Sequence, residues 1–291
     1  MSHAFEKRLT DHYGDLSETL QRAADFLRAH PVEVATRPLR QVAADCEVSP
    51  AAFSRLARAL NYADFAEIRD ELRQSIGRRV NNFADRAQRL QEDHADDHAG
   101  HKSGFFNAHL AACLGNLQSF SDTVDHEVLD AAVSRIGDAR NVVLLGALGS
   151  TGVVEYLAYM ASLCAGNWSM ASRMGASLGG GLTGIDARDA LIIVTKPPFA
   201  ERSIRAAEMA REKGAYVVVI TDTLGCPALK HASASFVVPT ESPHFYSSYV
   251  VTVFLVETLI GLLVSRSGKG ARDRISEVER ANRILAEVWD G

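Results

Sequence analysis

Two groups of residues in this 291-residue chain have types and spacing that could do chemistry. The first is a set of hydroxyls, with one cation, that follow short apolar runs. Gly149, Ser150 and Thr151 lie in GALGSTG (146–152), and Thr195 and Lys196 follow LIIV. Ser203 opens a helix shortly after, Thr221-Asp222-Thr223 ends YVVVIT, and Ser247 and Ser248 begin an apolar helix. Small residues let backbone N–H groups approach an anion, and a helix N-terminus adds a favourable dipole. Hydroxyls converging from several loops suit a polyhydroxylated or phosphorylated small molecule, although each one alone is also an ordinary helix cap. Lys196 could hold a phosphate or carboxylate, or point to solvent. The glycines at 146, 149 and 152 do not have the GxGxxG spacing of a dinucleotide loop.

The second group is Ser49, Ser54, Arg55 and Arg58 within LRQVAADCEVSPAAFSRLAR, residues 39–58. Ser49 is a good N-cap and Pro50 suits the first helical position. Phe53, Leu56, Ala57 and Leu60 then fall at i, i+3, i+4, i+7 and form a buried stripe, leaving Ser54, Arg55 and Arg58 on other faces. Leu39, Val42 and Ala43 give the preceding helix its own apolar face, and Val48 would plug the corner. This is a helix-turn-helix pattern, whose second helix enters the DNA major groove; a helical hairpin that only packs has a similar pattern. Glu47 holds the turn position where glycine is commonest, at about 1 kcal/mol if the backbone there is left-handed.

Two further constellations invite other chemistry. His94, His98 and His101, with Asp93, Asp96 and Asp97, could ligate a metal, but their polar, glycine-flanked surroundings read as a solvated linker, so no metal is expected. His244 and Glu257 are candidates for the base of an aldose–ketose isomerase, with Glu257 expected to be desolvated in its apolar run. They do not form a convincing acid–base pair, so no catalytic residue and no cofactor is expected.

The elements that must position these groups change character along the chain. Leu16–Ala29, the hairpin, and a helix from Asp64 to Ile76 make an all-helical domain over 1–80. A polar linker over 81–104 follows. Beyond it, helices at Phe105–Phe120, after Asp125, from Ser150 and at Ile204–Lys213 alternate with apolar runs at Asn141–Leu145, Leu191–Thr195, Tyr216–Thr221 and Phe236–Val238. Continuous apolar strands alternating with helices indicate a doubly wound parallel α/β sheet over 105–291, covered on both faces and closed by a helix at Ala271–Trp289.

Composition agrees. The net charge of −5 argues against indiscriminate coating of nucleic acid, and residues 1–80 are neutral, with twelve basic and twelve acidic residues. Arg55, Arg58, Arg69, Arg73, Arg78 and Arg79 cluster after the turn, a patch that a dimer would double. The run 249–264 is interrupted by Glu257 and is shorter than the ~20 residues that span a bilayer, so no membrane partner is expected. Four scattered cysteines and a start without a signal-like apolar core point to reduced thiols in the cytoplasm.

The chain resembles the RpiR-type transcription regulators, which join a helix-turn-helix domain to a sugar-isomerase-like (SIS) domain. The resemblance covers nearly the whole chain. Residues 42–72, VAADCEVSPAAFSRLARALNYADFAEIRDEL, follow the family pattern with Asn61 in place of a glycine, and 211–232, REKGAYVVVITDTLGCPALKHA, match the SIS stretch with Cys226 in place of a serine. It implies that Ser49, Ser54, Arg55 and Arg58 face operator DNA, of palindromic form. It also implies that Ser150, Thr195 and Ser203 line a phosphosugar site, and that the protein works as a homodimer or homotetramer. Two loops depart from the pattern. Leu148 replaces a glycine in the first, and Pro197 and Pro198 replace serine and glycine in the second, which removes two backbone donors. A carboxylate effector, a SIS domain that serves only to dimerise, and a sugar-phosphate isomerase are the alternatives.

Overall fold

In the computed structural model, which describes residues 3–72, 83–96, 104–172 and 177–289, the chain divides into two compact units. One is built on Met1–Phe83, the other on Ala84–Thr223 and Pro227–Gly291.

The first unit is all helical: α1 (His3–His12), α2 (Glu18–Ala29), α3 (Pro31–Thr36), α4 (Leu39–Asp45), α5 (Pro50–Ala59) and α6 from residue 65, described to 72. Phe53, Leu56, Ala57 and Leu60 are all fully buried, as their spacing predicts, and pack with Phe5, Leu27, Val42, Ile68 and Leu72. The Phe53 and Phe65 rings meet edge-on at 5.0 Å. Glu47 adopts φ +55. The Val48 amide donates to the Ala43 carbonyl (3.0 Å) and the Glu47 amide to Ala44 (3.2 Å), the paired bonds that end a helix on a left-handed residue.

The second unit holds α7 (Phe83–Asp96), α8 (Gly104–Thr123), α9 (His126–Gly137), α10 (Thr151–Cys164), the short α11 (Leu178–Leu182), α12 (Glu201–Glu212), α13 (Val250–Arg266) and α14 (Gly268–Ile284). The strands are β1 (Val142–Gly146), β2 (Trp168–Met170), β3 (Ala190–Val194), β4 (Tyr216–Thr221) and β5 (Ala234–Val237), all parallel in the order β2-β1-β3-β4-β5. The alternate residues Val142, Leu144, Ile192, Val194, Val218 and Ile220 pack with α9, α10 and α13 through Val133, Leu157 and Leu255. The intervening ones point to the opposite face, where α12 lies against β3 and β4 with Ala206, Ala207 and Ala210 buried. The doubly wound sheet is therefore as the apolar runs predict.

Several elements differ from the sequence reading: α1, α3 and α11 lie outside the helices it names, and the closing helix runs over Gly268–Ile284 rather than on to Trp289. β2 has no apolar run to mark it, because it is a three-residue edge strand, half-buried with its middle serine exposed. The polar stretch read as a linker folds over Phe83–Asp96 into α7, with Phe83, Arg86, Ala87 and Leu90 half-buried along one stripe. The side chains of Asp93, His94 and Asp96, and all of Asp97, His98 and His101, lie outside the described residues, as do Arg73, Arg78 and Arg79. No single described helix is long and apolar enough to cross a membrane, and α13 and α14 meet at a 114° bend.

At the N-terminal edge of the sheet, Arg140 pairs bidentately with buried Asp189 (2.9 and 2.5 Å), which also accepts from Asn141 and the Asp186 amide. This network pins the strand ends opposite to those that carry the hydroxyl loops.

Candidate functional site

The polar edge of α5 is open. Ser49 is the N-cap residue in extended conformation (φ −73, ψ 148), with Pro50 first in the helix, but its hydroxyl makes no capping bond. Ser49, Ser54, Arg55 and Arg58 are all exposed, and among the described residues no hydrogen bond or ion pair engages the side chain of Arg55 or Arg58. Arg69 does not join them. Its guanidinium donates to the carbonyls of Val34 and Arg37 (3.2 Å each) and lies 5.3 Å from the Phe65 ring centroid, so this member of the expected basic cluster is spent inside the unit.

The second constellation forms at the carboxyl edge of the sheet, where ligands of open parallel sheets bind. β1 ends at Gly146, where a Cβ would come 2.6 Å from the Ser150 carbonyl, so only glycine lets the loop turn back on itself. A 3-10 turn, Leu148–Ser150, leads into α10 at Thr151, which is half-buried, and Gly149 is exposed. The structure draws Ser150 and Lys196 together through a residue that sequence reasoning missed. The hydroxyls of Ser150 and Tyr249 lie 3.1 Å apart, and the Lys196 ammonium sits 3.8 Å from the Tyr249 ring centroid. Lys196 also donates to Thr252 Oγ1 (2.7 Å) and to the Ser248 carbonyl (3.4 Å). Tyr246 stacks on Tyr249, with ring centroids 6.2 Å apart, and its hydroxyl lies so close to Gly149 that a Cβ there would come within 1.9 Å. The visible signal for this wall was the aromatic, hydroxyl-rich HFYSSY (244–249) just ahead of an apolar helix.

Burial sets the electrostatics. Ser150, Thr195, Lys196 and Ser203 are between 0 and 6% exposed, so Lys196 does not point to solvent. Burial lowers its ammonium to about 8, against the opposing field of Asp222. Burial is also the main reason that the Tyr249 phenol is raised above its ordinary range. The hydroxyls of Ser203 and Thr221 are buried with no hydrogen-bond partner among the described residues, an arrangement that a ligand or water oxygen would relieve. Ser203 does not open α12; Ala200 is the N-cap residue and Ser203 the third helical residue, turned inward. Ser247 precedes the start of α13 and stays half-buried.

Ser247 instead lines a neighbouring groove of about 660 Å³, with Tyr246 and Tyr249, and with His109, His244 and Glu257. Glu257 is exposed rather than desolvated, because it lies on the outer face of α13, where it accepts from the Tyr156 hydroxyl (2.8 Å). His244 Nδ1 accepts the Tyr246 amide (3.1 Å). Each candidate base is thus already engaged by the protein.

With this geometry in view, the comparisons with known proteins are direct. Residues 3–79 match the helix-turn-helix domain of the rpiR family, and residues 135–262 match the SIS domain. The sugar isomerase domain of an RpiR transcription factor from Sphaerobacter thermophilus superposes with a TM-score of 0.57 at 22% identity, over 62% of this chain and 99% of that one. The Vibrio vulnificus NanR protein, solved in complex with ManNAc-6P, does so with a TM-score of 0.55 at 19% identity, over 97% of this chain and 98% of its own. Among curated proteins, a bifunctional protein glk of Burkholderia thailandensis is 21% identical over 283 residues, 93% of this chain but 41% of its own length. The chain thus spans well under half of the curated relatives it matches.

Proposed function

Since this chain joins a helix-turn-helix domain of the rpiR family to a SIS domain, we propose that it is a DNA-binding transcription regulator whose operator affinity responds to a small acidic metabolite. The observation that carries the reading is α5. A packed helix-turn-helix unit holds Ser54, Arg55 and Arg58 in the open, with both arginines uncommitted among the described residues. Arginine reads guanine edges bidentately and also neutralises phosphates, so one helix can both position the protein and specify the site. Ser49, at the N-cap, would reach the backbone.

The effector is a phosphorylated sugar, with a sugar carboxylate second. It is received at the carboxyl edge of the sheet by Gly149, Ser150, Thr151, Thr195, Lys196 and Ser203, with Ser247 reaching it from the neighbouring groove. The unpartnered hydroxyls of Ser203 and Thr221 support this placement, and the fold shared with a NanR protein solved with ManNAc-6P supports the phosphosugar class. The working division is 1–80 for DNA, 81–104 as connector, and 105–291 for effector and oligomer. The protein acts in the cytoplasm as a homodimer or homotetramer on a palindromic operator, without catalysis. A SIS domain that serves only for assembly is the second reading. It is favoured by the burial of Ser150, Thr195, Lys196 and Ser203 and by the loss of backbone donors at Pro197 and Pro198.

The test is a fluorescence anisotropy titration of DNA flanking the protein's own gene, with and without N-acetylmannosamine 6-phosphate, other sugar phosphates and sugar acids. Specific binding shifted by one compound supports the sensor. Specific binding indifferent to the panel supports the assembly reading. A folded protein with no specific binding refutes both.

A further inference from the structure

Residues 238–249 link β5 to α13 and carry Tyr246, Ser248 and Tyr249, which touch Gly149, Lys196 and Ser150. Two outside elements hold this segment. On one side, buried Asn116 of α8 makes a reciprocal pair with Glu241: its Nδ2 donates to the carbonyl (2.7 Å) and its Oδ1 accepts the amide (3.1 Å). On the other, Arg86 of α7 donates through Nη2 to the carbonyls of His244 (2.9 Å) and Ser242 (3.4 Å). His244 in turn orients the Tyr246 amide through Nδ1, and the Tyr246 hydroxyl presses on Gly149. A continuous set of contacts therefore runs from the hydroxyl loop of β1, through Tyr246 and His244, to Arg86. α7 is the helix that follows the helix-turn-helix unit along the chain.

We propose that Arg86 is a positioning residue that transmits displacement of the 242–249 segment to α7, and so makes operator affinity depend on what occupies the carboxyl edge of the sheet. The proposal rests on the regulator reading and adds its route of regulation. A guanidinium gripping two carbonyls forms charge-assisted hydrogen bonds, stronger than neutral ones, and gives the segment a firm hold on one helix. Coupling between sites requires that a ligand favour one arrangement of such an element over another. A compound that displaces Tyr246 or Tyr249 would do so through this tie.

The test uses the full chain and a displacement that needs no effector. G149A places a Cβ 1.9 Å from the Tyr246 hydroxyl, so that ring must move. Operator affinity is measured for the wild type, G149A, R86M and the double variant. G149A is expected to change the operator Kd about fivefold or more when Arg86 is present, and by less than about twofold in the R86M background. Amide hydrogen exchange over 83–96 is the second readout: G149A should accelerate it with Arg86 and leave it unchanged without. A purely structural arginine would lower the melting temperature but leave the G149A effect equal in both backgrounds. That result, or no G149A effect in either, overturns the proposal. R86Q repeats the cycle if R86M does not fold. If the wild type binds no operator, the regulator reading fails, while the exchange experiment still decides whether Arg86 ties the segment to α7.

Discussion

Lys196 and Arg55 place their cations in opposite settings. Lys196 is enclosed at the carboxyl edge of the sheet, and among the described residues it has hydroxyl, carbonyl and aromatic neighbours but no ion pair. Its pKa falls to about 8 in the folded protein, from an ordinary 10.5. Between those values the folded state binds fewer protons than the unfolded one, so this group makes stability rise with pH across that window. Below pH 8 the buried ammonium is a burden, which the Tyr249 face partly offsets. Lys196→Met is expected to stabilise the second unit at pH 7 by about 1–3 kcal/mol, a gain that fades as pH approaches 10.5. Urea denaturation at pH 7, 8.5 and 10 measures it, and a gain that grows with pH refutes it. Arg55 is exposed and makes no hydrogen bond or ion pair among the described residues, so Arg55→Ala should leave the melting temperature unchanged. It should weaken operator binding by about 1–3 kcal/mol and relax specificity at one base position. Binding by mutated operators reads both effects, and unchanged specific affinity rules out α5 as the reader.

At the scale of elements, the departures from the expected glycine pattern have one explanation. Glu47, Asn61 and Leu148 all adopt positive φ, at +55, +60 and +55. Each holds a left-handed backbone position that its element still requires. Glu47 ends α4, and Asn61 ends α5 in the same way, with Tyr62 donating to Ala57 (2.9 Å) and Asn61 to Arg58 (3.1 Å). Leu148 turns the loop after β1. Asparagine tolerates this region, whereas glutamate and leucine are strained there. Glu47→Gly and Leu148→Gly should therefore each raise stability by about 0.5–1 kcal/mol, and Asn61→Gly much less. Leu148 is mostly exposed, so its removal loses little burial. Denaturant midpoints decide this, and a destabilised Leu148→Gly would mean that the leucine side chain is engaged. These positions were visible in the chain as missing glycines, but their φ values were not.

At the scale of the molecule, two hydrophobic cores, one in each unit, predict separable responses. Operator DNA should raise the unfolding transition of the helix-turn-helix unit, and an effector that of the SIS unit. At a hundredfold excess over Kd each contributes about 2.7 kcal/mol to the unit it binds. Calorimetry with either ligand alone measures this. Equal elevation of both transitions by a sugar phosphate would refute separate unfolding of the two units, and no elevation by any acid would favour the assembly reading.

The chain by itself determined the two architectures, because both are written in local periodicity. The i, i+3, i+4, i+7 stripe of α5 can be buried on only one side, which leaves Arg55 and Arg58 outside. The apolar runs at 141–145, 191–195, 216–221 and 236–238 offer little polar face to water, which indicates a parallel sheet covered on both sides. Strand ends then place the hydroxyl loops at one edge. Only the tertiary structure decided what happens at that edge. Whether Lys196 faces solvent depends on Thr252 and Tyr249, more than fifty positions away, and whether Gly149 is open depends on Tyr246. The grip of Arg86 on Ser242 and His244 spans more than 150 residues. No local spacing encodes such contacts, because they form only when separate elements pack.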